Sequence, residues 1–173
     1  GLLEMGLPAW AAYGEPIIQD LVGGPEPEVV LDSPYILALL DKTGQPIWHG
    51  PPGNDPPGNY SATTAIRHAL IDFDGDGRFE IASAGYTAGV HVVDAQTGKV
   101  LWTVPAPVPT CAKVAAANID GRGGDELIYT VGNVLCAITG DRTSGRILWT
   151  WPAPAGPSMP AIADVDGDGR AEI

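Results

Sequence analysis

One acidic loop recurs along this chain at a fixed interval. Its first good copy reads Asp72-Phe73-Asp74-Gly75-Asp76-Gly77-Arg78-Phe79-Glu80-Ile81, and its second reads Asp164-Val165-Asp166-Gly167-Asp168-Gly169-Arg170-Ala171-Glu172-Ile173. Between them lies a weaker copy, Asn118-Ile119-Asp120-Gly121-Arg122-Gly123-Gly124-Asp125-Glu126. The step is 46 residues from 72 to 118, and 46 again from 118 to 164. A constant period of this length means a repeat architecture, with the loop at the same place in every unit.

The oxygens of the loop are spaced for a hard cation. Asp72, Asp74 and Asp76 alternate with other residues, and Gly75 and Gly77 permit the sharp turns that aim all three inward. The Arg78 carbonyl and the Glu80 carboxylate would complete an oxygen shell of the kind calcium takes, about six to eight ligands in flexible geometry. An EF-hand would need a bidentate acid at its twelfth position, where Ser83 stands. Zinc is disfavoured, because no Cys or His sits at ligand spacing in the loop. The alternative is an Asp/Gly hairpin turn without metal, which two near-identical copies argue against. In the middle copy Asn118 and Arg122 replace two acids, so little or no metal is expected there, with the Arg122 head filling the cation's place. A decayed fourth copy runs from Asp20 to Glu28, with Val22 and Gly24 at ligand positions, and no metal is expected there either.

Each unit follows one order. A small-residue strand (Thr64 to Ile71, or Pro160 to Ala163) precedes the loop. A second strand starts at the loop's last acid, as in Glu80-Ile81-Ala82-Ser83-Ala84 or Glu126-Leu127-Ile128-Tyr129-Thr130. A third follows a glycine turn, as in Val90-His91-Val92-Val93-Asp94, and a fourth ends in tryptophan: Trp48, Trp102, Trp149. Four short antiparallel strands per ~45 residues are the signature of a propeller blade. The expected fold is therefore all-β, with blades of four antiparallel strands at about 15–50, 62–104 and 109–151 and the start of a fourth at 157–173. That is about three and a third blades, part of a larger propeller, because propellers close with about four to eight. The missing blades would come from a longer chain or a partner copy. Each tryptophan is expected to pack between neighbouring blades. The Pro/Gly stretch 50–60 reads as a surface insertion or a loop over one face.

Composition narrows the partners. With 21 acidic against 9 basic residues the formal charge is −12, so nucleic acid, which needs a basic face, is not an expected partner. No stretch approaches the ~20 apolar residues of a membrane span. The first residues lack a basic region followed by an apolar run, so no signal peptide is read there. Weak calcium loops need roughly millimolar calcium, which points to an extracellular, cell-surface or periplasmic setting. Cys111 and Cys136 fall on the first and third strands of one unit. That separation is about 9–10 Å at a strand spacing of ~4.8 Å, beyond disulfide reach, so both are expected unpaired and half-buried.

Asp-x-Asp-Gly-Asp-Gly-x-x-Glu-Ile after a short apolar strand resembles the FG-GAP/VCBS repeat, the calcium-binding blade unit of integrin-α-like propellers. The resemblance implies Asp72, Asp74, Asp76, Arg78 (carbonyl) and Glu80 as one ligand set. It implies Asp164, Asp166, Asp168, Arg170 (carbonyl) and Glu172 as another. Val93-Asp94-Ala95-Gln96-Thr97-Gly98-Lys99-Val100-Leu101-Trp102 resembles the tryptophan-docking motif of quinoprotein propellers, a structural motif that does not touch the quinone. Mixed blades of this type also resemble the propellers of some rhamnogalacturonan lyases.

Two functions compete, with a purely structural blade array as a third. The first is an extracellular calcium-stabilised scaffold for binding or adhesion, taking a polysaccharide or protein ligand on a propeller face. Its motivation is the absence of any readable Ser/His/Asp or Cys/His set, since His49, His68 and His91 lie in different contexts. The second is a polysaccharide lyase, which needs a base and a cation near a uronate. Arg67 and Lys113, equivalent in their repeats, are its candidates with His68 and Tyr86, against the plainer reading of solvated rim charges.

Overall fold

The computed structural model describes residues 15–33, 36–50, 67–85, 89–104, 113–153, 159–168 and 171–173. These residues form twelve strands and no helix. The first sheet holds β1 (Ile17–Gln19), β2 (Glu28–Ser33), β3 (Ile36–Leu40) and β4 (Pro46–Gly50). The second holds β5 (Arg67–Ile71), β6 (Glu80–Gly85), β7 (Gly89–Asp94) and β8 (Val100–Val104). The third holds β9 (Lys113–Ala117), β10 (Glu126–Val131), β11 (Val134–Gly140) and β12 (Gly145–Pro152). In all three, each strand pairs antiparallel with its chain neighbours, in simple up-and-down order. An isolated bridge, Ala163 to Glu172, begins a further hairpin around the last loop.

Alternation along the strands explains why the sheets stack, since successive side chains of a strand face opposite sides. In β6, Ala82 and Ala84 join Val90 and Val92 of β7 on one side, where they pack with Val114, Leu127, Tyr129, Cys136 and Ile138 of the third sheet. Ile81 and Val93 face the other way and meet Val30, Leu37 and Leu39 of the first. Every residue of β7 is buried, as befits an inner strand covered on both sides. Cys136 is fully buried and unpaired, more enclosed than the half-buried setting expected of it. Cys111 and the insertion at 51–60 lie outside the described residues. None of the helices needed to cross a membrane is present among the described residues.

The tryptophans join sheet to sheet. Trp48 of β4 lays its ring over Gly98 in the β7–β8 turn of the next sheet, where a Cβ would stand 2.6 Å from the indole. Its Nε1–H donates to the Ala95 carbonyl at 2.9 Å. Trp102 of β8 repeats this on the third sheet, over Gly145 and Gly140, with Nε1–H donating to the Asp141 carbonyl at 2.7 Å. The turns that receive them are rigid. Asp94 Oδ1 accepts from the Thr97 N–H and hydroxyl, and Asp141 Oδ1 accepts from the Thr143 N–H and hydroxyl. Trp48→Phe removes the N–H donor and replaces the bicyclic indole over Gly98 with a smaller phenyl ring. It is expected to cost about 2 kcal/mol, from a lost hydrogen bond worth about 1 kcal/mol and the cavity the smaller ring leaves, as a lower urea midpoint with unchanged slope.

Candidate metal centre

Each acidic loop is closed at its neck by its last glutamate. Glu28 accepts the N–H of Leu21 at 2.8 Å, Glu80 that of Phe73 at 3.3 Å, Glu126 that of Ile119 at 3.0 Å and Glu172 that of Val165 at 2.8 Å. The separation is seven residues every time. Glu28 and Glu126 do this in the two loops that lack a full acid set, so the clamp belongs to the repeat and does not depend on the full set of acids. Its sequence signal was present: the glutamate persists at this place in the decayed copies while the other acids drift.

The first residue of each loop fixes the turn. Asp20 accepts from Gly23, Asp72 from Asp76 and Gly77, Asn118 from Gly121 and Asp164 from Gly167. Asn118 replaces aspartate here without loss, because the turn needs an acceptor and no charge. The third residue adds a second turn, with Asp74, Asp120 and Asp166 each accepting from the N–H two positions on.

These turns gather carboxylates. One oxygen from each of Asp72, Asp74 and Asp76 lies within 4.8 Å of the others, and the same holds for Asp164, Asp166 and Glu172. Two oxygens on one calcium ion, each at about 2.4 Å, stand at most about 4.8 Å apart, and the separations in both groups stay within that limit. Asp74 and Asp76 are exposed and Asp72 is half-buried, leaving the first group open to solvent. Glu80 stands apart from it. Its carboxylate is fully buried, with one oxygen on the Phe73 N–H and the other on the Arg142 guanidinium. Burial pushes the Glu80 carboxyl up to about 7, with Asp74 and Asp72 adding to the rise and the Phe73 N–H and Arg142 opposing it. In the last loop Glu172 joins the group and Asp168 does not. The Arg78 N–H is held by Asp76 Oδ1 at 2.7 Å, and Arg170 lies outside the described residues.

Arg122 does not fill the middle loop in the manner of a cation. Its side chain is 85% exposed and, among the described residues, its ion-pair contact is with Asp120 at 3.9 Å.

Two neighbouring loops are locked together. The Asp125 N–H donates to the Asp72 carbonyl at 2.7 Å, and Asp125 Oδ2 accepts from the Asp72 N–H at 3.2 Å. Gly124 lies flat on the Phe73 carbonyl, and Gly75 on that of Gly123, at distances that leave no room for a Cβ on either glycine. Phe73 in turn packs against Trp102, ring centroids 5.1 Å apart. The first acid group thus sits on the junction between two sheets.

Arg142 is the functional-looking residue that the sequence reading passed over. It reaches from the third sheet to Glu80 and Asp94 of the second. Its turn resembles those at Asp41 and Asp94, where Lys42 and Ala95 follow the aspartate, so nothing within one repeat marks it. Burial works to raise the Asp94 carboxyl, but the Thr97 hydroxyl and N–H and Arg142 outweigh it and hold the group below its ordinary value.

The described residues place only part of the lyase candidate set. Arg67 and Lys113 begin β5 and β9, the first strands of adjacent sheets. His68 instead lies in a cross-strand row with Ser83 and His91, and His91 Nδ1 is 2.8 Å from the Thr103 hydroxyl. Tyr86 and the Arg67 side chain lie outside the described residues.

A family model described as outer membrane protein assembly factor BamB matches residues 32–168. Two solved structures are similar: the Bacillus licheniformis rhamnogalacturonan lyase PL11 and the exotype rhamnogalacturonan lyase YesX. Both align with TM-score 0.65 and 20% identity over 91% of this chain, covering 38% and 37% of their own length. At that identity the likeness is one of fold, and the chain spans less than two fifths of those structures. No curated protein sequence matches it. Three stacked up-and-down sheets joined by docked tryptophans, matched by this repeat model over most of their length, make the chain a propeller-type member of the family described as outer membrane protein assembly factor BamB.

Proposed function

We propose that this chain is a calcium-stabilised propeller segment of FG-GAP/VCBS type, working outside the cytoplasm as a scaffold that presents a face to a polysaccharide or protein ligand. The observation that carries the reading is the convergence of three carboxylates in each of two equivalent loops, at separations one calcium ion can span. Asp72, Asp74 and Asp76 would hold one ion, and Asp164, Asp166 and Glu172 the other. Bringing three carboxylates this close without a cation costs repulsion. Family membership supports a periplasmic or extracellular setting, where calcium is abundant enough for open sites.

Calcium at a hundred times its dissociation constant should stabilise the fold by about 2.7 kcal/mol per site, read as a rise in melting temperature over the chelated protein. Asp74→Asn and Asp166→Asn should each remove part of that rise, and the pair together most of it. An identical melt in calcium and chelator would end the proposal.

The similar structures favour a second reading, in which the segment belongs to a polysaccharide lyase. Arg67 and Lys113 at equivalent ends of neighbouring first strands would then face the substrate. Release of unsaturated uronide from rhamnogalacturonan, lost on Lys113→Ala, would support it. No release would leave the scaffold reading.

A further inference from the structure

The two joints between sheets are held by different means. Between the second and third sheets, three sets of contacts add to the docked Trp102: the exchange between Asp72 and Asp125, the close seating of Gly124 on Phe73 and of Gly75 on Gly123, and the reach of Arg142 to Glu80 and Asp94. The repeat puts a counterpart at each of these points in the joint between the first and second sheets. Phe79 stands in the place of Asp125, Arg78 in that of Gly124 and Ala95 in that of Arg142, with Asp20, Leu21 and Glu28 as counterparts of Asp72, Phe73 and Glu80. None of the three can make the corresponding contact. Phe79 has no side-chain acceptor for the Asp20 N–H, the Arg78 Cβ rules out the approach that Gly124 makes, and Ala95 has no charge to offer Glu28. Among the described residues no backbone hydrogen bond joins 20–28 to 72–80. Nor does any of their atoms lie within 4 Å of where a Gly23 Cβ would stand, although its counterpart Gly75 lies on the Gly123 carbonyl.

The first joint rests instead on the Trp48 N–H at the Ala95 carbonyl and on apolar packing, in which Val30, Leu37 and Leu39 meet Ile81 and Val93. Part of the packed surface is polar. Cross-strand partners share a face, so the second sheet turns His68, Ser83 and His91 toward the first, where the third turns Val114, Tyr129 and Cys136 toward the second. Less apolar surface is therefore buried at that level of the first joint, and the hydrophobic gain is smaller. We infer that this joint is an opening seam: the first sheet parts from the second as a unit, while the second and third stay one body. Apolar contact is non-directional, so the sheets can separate and rejoin with the hydrogen bonds inside each sheet intact. Opening bares Leu37, Leu39, Ile81 and Val93 and makes the first sheet a hinged flap on a locked pair.

The test is native-state hydrogen exchange on the full chain, resolved strand by strand. Amides of β2 and β3 are expected to exchange together through one shared opening, and faster than those of β6, β7, β10 and β11, which form a second and slower class. Trp48→Ala should speed β2 and β3 further by at least about fivefold, the factor that one net hydrogen bond carries, and leave β10 and β11 unchanged. Complete loss of protection in β2 and β3 with β10 and β11 intact is the same result at its limit. Equal protection of all three sheets in the parent chain would overturn the seam, and so would a Trp48→Ala variant that speeds all three alike. Rates in β2 and β3 that are graded residue by residue, with no shared opening, would mean simple fraying and overturn it as well.

Discussion

Gly124→Ala is expected to destabilise the protein by about 3 kcal/mol, at the upper end of what overpacking a fitted site costs. The new methyl would stand 1.9 Å from the Phe73 carbonyl oxygen and 2.5 Å from its carbon. Both are main-chain atoms, so no side chain can swing aside to make room. Relief requires the two loops to part, which breaks the exchange between Asp72 and Asp125 and loosens Phe73 from Trp102. Because the same movement disturbs Asp72 and Asp74, the variant should also bind calcium more weakly at the first loop and normally at the last. Gly50→Ala is the control: among the described residues no atom lies within 4 Å of its Cβ position, and a change that meets no neighbour stays within about 0.5 kcal/mol. Urea denaturation of the pair measures the contrast. Equal midpoints would mean the loops are not packed as described.

The second large effect is expected at Arg142. Arg142→Met leaves Glu80 buried without its cation and should cost about 3 kcal/mol, the usual penalty for breaking a buried pair from one side. Its pH dependence carries a sign. Glu80 has a folded value of about 7, above its ordinary 4.5. Its contribution is fully present below pH 4.5 and is lost as pH rises through about 7, because the buried site favours the protonated acid. Asp94 is shifted downward, so its contribution is present above its ordinary value and is lost as pH falls through the lowered one. Removing Arg142 raises both carboxyls, and the charged form of Glu80 then suffers most. The loss from Arg142→Met should therefore shrink as pH falls from about 8 to about 5. Adding Glu80→Gln should recover much of it. A loss independent of pH and unaffected by Glu80→Gln would show that Arg142 acts through its packing alone.

Much of the fold was legible because each repeat states it again. Alternation in Val90-His91-Val92-Val93-Asp94, the glycine turns and the closing tryptophans all recur within one unit, and the sheets follow that grammar. The acid group at Asp72, Asp74 and Asp76 was legible for the same reason, since alternate residues of one tight loop must converge. What escaped was contact between units. Glu80 looked like a ninth-position ligand because its own loop suggested nothing else. Its actual partner Arg142 lies 62 residues away, in the turn of another sheet. The Gly75–Gly123 and Gly124–Phe73 contacts are equally invisible, because a glycine in a loop reads as turn chemistry until a neighbouring backbone is found lying on it. Glu172 could not be told from Glu80 by sequence, yet only Glu172 gathers with its aspartates. The Glu80 carboxylate is instead engaged by Arg142 at the interface between the second and third sheets.

The central claim, that two of the four loops hold calcium, is tested most directly by calorimetric titration of calcium into the chelator-treated chain. The account predicts two ions bound per chain, one lost in Asp74→Asn and the other in Asp166→Asn. It also predicts that Asn118→Ala and Asp20→Ala leave the stoichiometry at two. A titration without heat, or one whose stoichiometry survives both aspartate changes, would contradict it.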